Sequence, residues 1–460
     1  MSTPSSGDEI AKQTLESVSK SVENVGNTSL VDPSDALSFP EGGFTAWGTV
    51  LGALLIQFCG FGYSNAYGVF QGKHIYFYTQ TYLTNSTPSA IAWIGSVNVF
   101  LGLSVGIVSG RMADRGAFYL VMKIGCLLQC SSLFLLSLAK PDQYYQASPI
   151  SIFLSQGIGM GIATGLTNVP SFTVVSHHFQ RRRAFAMGIV ATGSALAAIL
   201  HPVMLNNLIN GRLGFANGVR ASAALSGGLL FIANLLMRTR LPPQPKIVSY
   251  TRVLQNSSRD GAYICACVGM AAFEFGYSFE NFYIQLDSTL HGLSQGFSFY
   301  SITILYCGSS IGRLTGSVVA GYVGIPNTTI VSLLISSAAL FAMIGLHSAA
   351  SVAVIAVSYG FFSGGFIAMM SPLISHLTPE FSHIGARMGI TYAISSIGSL
   401  VGTCAPICGI VLTSHYIWWK AAILAGASDS SGGCILLIFM QVILKMRQKT
   451  SSVYSKEAGV

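Results

Sequence analysis

Gly110-Arg111-Met112-Ala113-Asp114-Arg115-Gly116 separates two apolar runs, 91–112 and 117–138. A bilayer core takes about 20 mostly apolar residues per helix. Each run is therefore long enough to cross, and the short charged turn sends the chain straight back. The pair reads as a membrane hairpin. Moving outward, further runs lie at 46–70, 147–169, 183–207 and 219–240, and then at 260–282, 298–321, 327–347, 352–375, 385–412 and 418–444. A basic stretch, 241–258, divides them six and six. The expected fold is an all-α membrane protein with twelve transmembrane helices in two pseudo-symmetric six-helix bundles. Its expected parts are a disordered cytosolic tail (1–43), a first bundle (44–240), a cytosolic linker (241–258), a second bundle (259–445) and a cytosolic tail (446–460).

Composition agrees. Hydrophobic residues make up 51% of the chain and charged residues 9%, whereas a soluble domain carries about 25% charge. Mean hydropathy is +0.58. The 50 glycines suit helices that must approach closely in lipid. The polar segment 1–40 contains no apolar core of a cleavable leader, so the first helix is expected to act as an uncleaved targeting signal. The nine cysteines all lie in apolar stretches and read as packing residues rather than metal ligands or disulfides.

Basic residues orient the chain. With the N-terminus inside, seventeen Lys and Arg fall in inner loops and tails. Only Lys73, Lys140, Arg212, Arg220 and Lys420 fall outside, and Lys123 and Arg313 lie within spans. This is the positive-inside pattern. It explains the formal charge of +8 without nucleic-acid binding, since the charges are spread over many loops. The sequon Asn85-Ser86-Thr87 lies in the first outer loop and is a glycosylation candidate. Phosphate-binding glycine loops, metal-ligand spacings and nucleophile elbows are missing from the sequence. That argues against an enzyme, a cofactor, a metal site and ATP-driven transport. The expected partners are the bilayer and a small-molecule substrate; oligomeric state is left open.

The 110–116 turn resembles the G-x-x-x-D-R-x-G signature of the major facilitator superfamily, shortened by one residue. Gly110 would let helices pack closely, while Asp114 and Arg115 would form a conformational latch in which Asp114 caps a neighbouring helix or pairs with an arginine. Two further motifs narrow the resemblance. Glu41-Gly42-Gly43-Phe44-Thr45-Ala46-Trp47 leads into the first span. Phe179-Gln180-Arg181-Arg182-Arg183-Ala184-Phe185-Ala186-Met187-Gly188-Ile189 leads into the fifth. Together they look like the paired signatures of the monocarboxylate porter family, fungal branch. The chain departs from that family's proton-coupled animal members. Asn65 stands at the level of their lysine, and Ser309 stands one turn before Arg313 where they carry an acid. These departures weigh against lactate-type coupling.

Intramembrane polar groups are costly in lipid and point to function. Arg313 is the leading cargo contact, with a structural ion pair as its alternative. Gln57, Ser64 and Asn65 share one face of the first span. Glu274 shares a face with Tyr277, Ser278 and Asn281. The expected substrate-binding set is Arg313, Asn65, Gln57, Tyr277 and Tyr306, with Phe61 as a further aromatic contact. Glu274 and His201 are the proton-coupling candidates, although His201 beside Pro202 also reads as a packing residue. Asn168 beside Pro170 reads as backbone repair at a kink. Asp429, among Ser428, Ser430 and Gly432, marks an irregular last span without a function attached. The reading that results is a secondary transporter of a small, weakly acidic or hydrophobic metabolite, working by alternating access in the plasma membrane, with secondary-metabolite efflux in view. Uptake of a monocarboxylate or riboflavin-like nutrient, and a membrane sensor that moves nothing, are the alternatives.

Overall fold

The computed structural model describes residues 41–65, 88–139, 152–209, 211–240, 250–290, 293–345, 348–404 and 418–457. Asn85, the tail at 1–40 and linker residues 241–249 lie outside them. Within the described residues every expected span falls on helix and there is no strand. The first half comprises α1 (Phe44–Asn65), α2 (Pro88–Ser104 and Gly106–Met112), α3 (Phe118–Leu136), α4 (Phe153–Ser176), α5 (Arg183–Ile209) and α6 (Gly214–Leu236). A short helix, Tyr250–Ser258, precedes the second half. That half comprises α7 (Gly261–Leu290), α8 (Gln295–Val323), α9 (Ile325–Ala342), α10 (Ala349–Leu377), α11 (Ile384–Cys404) and α12, which runs as Trp418–Ala427, Ser428–Cys434 and Ile435–Glu457.

Eight stretches among the described residues are long and apolar enough to cross a membrane. One of them, Ala92–Leu136, holds both α2 and α3. Its fold-back point is Gly116, at φ +87°, a left-handed turn that costs glycine nothing. Helices α7, α8 and α11 are 30, 29 and 21 residues long, and at 1.5 Å per residue each also spans a 30 Å core. Large apolar side chains face outward, including Leu127 at 69% exposure, Phe231 at 66% and Val354 at 65%. Water would penalise such a surface, whereas lipid tails receive it.

Some boundaries differ from the sequence reading: α7 runs to Leu290 against an expected 282, and α12 runs to Glu457, into the segment expected as a tail. The sixth span was expected at 219–240, but α6 runs from Gly214 to Leu236, which puts Arg220 inside a helix. Gly214, at φ +69°, starts the helix early. At the other end the chain turns extended at Met237, where other elements take over its backbone. Arg238 N donates to Thr49 Oγ1 (3.2 Å), Thr239 N donates to the Tyr119 hydroxyl (3.0 Å), and the His178 ring bonds the Arg238 carbonyl (2.8 Å).

Within the first half, α1 packs on α5 and α6, while α4 packs on α2 and α3. Within the second half, α8 packs on α10, α7 on α11 and α12, and α9 on α10. The halves meet mainly along α2–α11 and α5–α8. Adding six to the first-half helix of one pair and subtracting six from its partner gives the other pair, so the two seams are equivalent under exchange of the halves. Gly110 sits in the α2–α11 seam, where a Cβ would strike the Gly385 carbonyl, and a Cβ on Gly385 would meet Gly110 in turn. Only backbone fits there.

Candidate functional site

A cavity lies between the halves. The first half contributes Gln57, Phe61 and Asn65 from α1, Val99 and Leu103 from α2, Asn168 and Phe172 from α4, and Ala191 and Ser194 from α5. The second half contributes Glu274, Tyr277 and Ser278 from α7, Arg313 from α8, Ile367 and Met370 from α10, and Tyr392 and Ser399 from α11. Apolar and aromatic walls with a few convergent polar groups are the usual makeup of a small-molecule site.

The two walls differ chemically. On the first, Gln57 Nε2 donates to Asn168 Oδ1 and Ser171 Oγ, both at 2.9 Å. This links α1 to α4 with neutral groups. Asn168 therefore serves the cavity wall, not the kink at Pro170. Ser171 Oγ in turn donates to the Asn168 carbonyl at 2.6 Å.

On the second wall, Arg313 is 1% exposed. Its Nη1 donates to the Ala191 carbonyl (2.5 Å) and to Ser194 Oγ (2.6 Å), and its Nε donates to Ser309 Oγ (3.3 Å). Tyr277 is a further hydrogen-bonding neighbour. The guanidinium thus reaches from α8 to α5 across the seam, and every one of these partners is neutral. The ion pairs among the described residues are Arg387–Asp260 (2.9 Å) and His383–Glu380 (3.4 Å). The alternative of an Arg313–Glu ion pair is absent from that set. Glu274, 8% exposed, faces the same cavity.

Three expected site residues fall elsewhere. Tyr306 is buried among Leu305, Ile302 and Tyr359 in an α8–α10 cluster, outside the cavity lining. It faces Arg313 from two turns away on the same helix. His201 is 1% exposed and lies between the Phe58 and Tyr63 rings, with centroids 5.0 Å from each. It packs α5 against α1 and does not line the cavity. Arg115 is exposed, because the left-handed Gly116 next to it turns the chain outward. Asp114 accepts from Gly385 N (3.0 Å) and Ala386 N (2.7 Å) at the start of α11 without Arg115. A carboxylate on a helix N-terminus is favourable by charge and by hydrogen bonding.

The two entry motifs turn out to touch. Glu41 accepts hydrogen bonds from the backbone N–H groups of Gln180 (2.8 Å), Arg181 (2.5 Å) and Arg182 (3.0 Å). Burial by itself would raise its carboxyl pKa, but these donors outweigh it and hold the value below the usual carboxylate range. Trp47 meets Phe179 edge-on, with centroids 5.1 Å apart. Arg183 then crosses between halves. Its Nη1 donates to Ser375 Oγ of α10 (2.6 Å), and its guanidinium lies 4.8 Å from the Phe381 ring centroid. Glu41, Arg183 and Asp114 all sit at the linker end of the bundles.

Comparisons with known proteins agree with this architecture. The Major Facilitator Superfamily profile matches residues 49–344. An aspyridones efflux protein of Emericella nidulans is 33% identical over 417 residues, 90% of this chain and 82% of that protein. A fujikurins efflux protein of Gibberella fujikuroi is 31% identical, over 86% of this chain and 83% of its own length. Among solved structures, the Escherichia coli fucose:proton symporter matches with a TM-score of 0.64 at 14% identity, covering 85% of this chain and 98% of its own. At that identity the likeness concerns the fold.

Proposed function

This chain belongs to the major facilitator superfamily, and we propose that it is a plasma-membrane exporter of an acidic, largely apolar secondary metabolite. The observation that carries the reading is the Arg313 guanidinium, set in an apolar and aromatic cavity wall with only neutral partners. A guanidinium binds a carboxylate through two parallel hydrogen bonds. An anionic cargo would supply the counter-charge that the resting site lacks. Phe61, Phe172, Tyr277 and Met370 would take its apolar body. The printed names of relatives such as the aspyridones and fujikurins efflux proteins support export and this class of cargo. The contact between the Glu41–Trp47 and Phe179–Ile189 motifs supports placing the chain with the monocarboxylate porter branch.

Alternating access would work along the two seams. With the linker end closed by Asp114 on α11 and Arg183 on α10, cargo leaves from the opposite end. Opening requires those contacts to break. Metabolite profiling of a deletion strain tests the reading. An acidic metabolite should accumulate in the cells and fall in the medium. Unchanged profiles in both compartments under conditions of expression would overturn export.

A further inference from the structure

Lys123 lies within the membrane-spanning part of α3, and the cavity does not use it. It is exposed on the same face as Leu120, Ile124 and Leu127, all of them exposed as well. Spacings of three, four and seven keep these residues on one stripe of the helix, and the apolar members mark that stripe as lipid-facing. A charge there is costly unless something answers it. No acidic residue occurs in α3, in α6 or in residues 237–240. Neither ion pair among the described residues includes Lys123. The residue stands five positions into α3, about 7.5 Å along the axis, a depth from which a lysine reaches the headgroups by snorkelling.

The structure shows what else stands at that level. Helix α6 runs beside α3 in the opposite direction. A Cβ on Gly227 would stand 3.4 Å from Cys130 Sγ, and Asn234 Nδ2 donates to Cys126 Sγ (3.2 Å). Thr239 then meets Tyr119, so Lys123 lies beside the end of α6. Tyr119 is one turn nearer the linker end, and it too is exposed. Its hydroxyl oxygen accepts from Thr239 N (3.0 Å) and from Thr239 Oγ1 (3.3 Å), and the exposed Arg238 is a further hydrogen-bonding neighbour. A tyrosine hydroxyl has two lone pairs and one proton. With the lone pairs occupied, the proton is left to point outward.

We propose that this end of the α3–α6 face binds the phosphate of an acidic glycerophospholipid, with Lys123, Arg238 and the Tyr119 hydroxyl as donors. Three donors without an acid among them suit an oxyanion. The place selects a lipid over free phosphate, because exposed Leu120, Leu127, Phe231 and Leu235 would lie along its acyl chains. Charge selects an acidic lipid over phosphatidylcholine, whose own quaternary ammonium would meet two protein cations. This site lies outside the cavity and does not depend on the export reading.

The test is lipid capture by the full chain. Delipidated protein in detergent is titrated with phosphatidylserine and, separately, with phosphatidylcholine, and bound lipid is counted by native mass spectrometry. The wild type should hold phosphatidylserine more tightly. K123Q and R238Q should each weaken it about fivefold, the worth of one basic residue near an anionic headgroup. Y119F, which changes no charge, should weaken it as well. R252Q removes an exposed cation from the short helix before α7 and should have little effect. Equal weakening by R252Q and K123Q would overturn the proposal, since that is diffuse attraction to a basic face. So would wild-type capture by K123Q, equal capture of the two lipids, or displacement of phosphatidylserine by millimolar inorganic phosphate. Should Y119F not fold, the exposed-site pair K123Q and R252Q decides.

Discussion

The two halves share a topology and differ in the polar groups they bury. The first buries neutral polar groups that bond one another, namely Gln57, Asn168 and Ser171. The second buries Arg313, Glu274 and Asp429, for which the described residues supply no ion-pair partner. Neutral amides tie helices together and hold a wall in shape. Uncompensated charges are expensive in a bilayer, and a fold keeps them where a cargo or proton supplies the compensation. The contrast assigns positioning to the first half and charge-dependent work to the second.

The strongest way to break that contrast is Arg313→Ala. Hydrogen bonds to charged groups contribute roughly 1.5–3 kcal/mol, so export of an acidic cargo should fall about 10- to 100-fold. Arg313→Lys should recover only part, because a point charge lacks the two-pronged geometry. Efflux rates at matched surface levels check this, and full activity in the alanine variant would return Arg313 to a purely structural role. Asp114→Asn comes next. It keeps the shape but weakens two charge-assisted bonds to α11, a loss of about 1 kcal/mol, or roughly a fivefold change in the balance of closed and open forms. Cysteine labelling from the linker side should rise accordingly, and unchanged labelling would remove the latch.

On the first half, Gln57→Leu removes the donor shared by Asn168 and Ser171. A thermal-shift assay should show a loss of about 1–3 kcal/mol, with only a small change in the pH dependence of export. A large pH effect would erase the distinction between halves. Glu41→Gln should have the smallest effect. Because folding lowers the Glu41 pKa, its contribution is present above the usual carboxylate value and is lost as pH falls from there through the lowered folded value. Acidification should therefore destabilise the wild type slightly more than the variant. Equal losses would show that the Glu41 contacts with Gln180, Arg181 and Arg182 do not contribute.

Helix positions were readable from the sequence because each span must be continuously apolar, and the irregular last span was flagged by Asp429 among serines and glycines. Cavity residues on amphipathic faces, such as Gln57, Glu274 and Tyr277, were readable for a related reason. Tyr306 was misplaced because a two-turn spacing from Arg313 does not say whether a ring points into the cavity or into α10. His201 was ambiguous because an intramembrane histidine looks alike whether it relays protons or fills a gap between two rings. Tyr392 and Ser399 of α11 and Phe172 of α4 carry no signal in the sequence. They are ordinary residues for a membrane helix, and only the crossing of α11 and α4 over the cavity gives them a wall to line. The contact between the Glu41 and Phe179 motifs was equally invisible, since nothing local links positions about 140 residues apart.

Where Gly110 meets Gly385, two helices touch through bare main chain. Dispersion attraction at such a surface decays steeply, and a gap of 0.5–1 Å already forfeits a quarter to a half of it. Interlocked side chains would yield gradually, each sliding past its neighbour in turn. Smooth faces do not. This junction should therefore behave as a snap fastener, with seated and parted positions and little resting place between them, so that a modest push from cargo or proton produces a complete change of access.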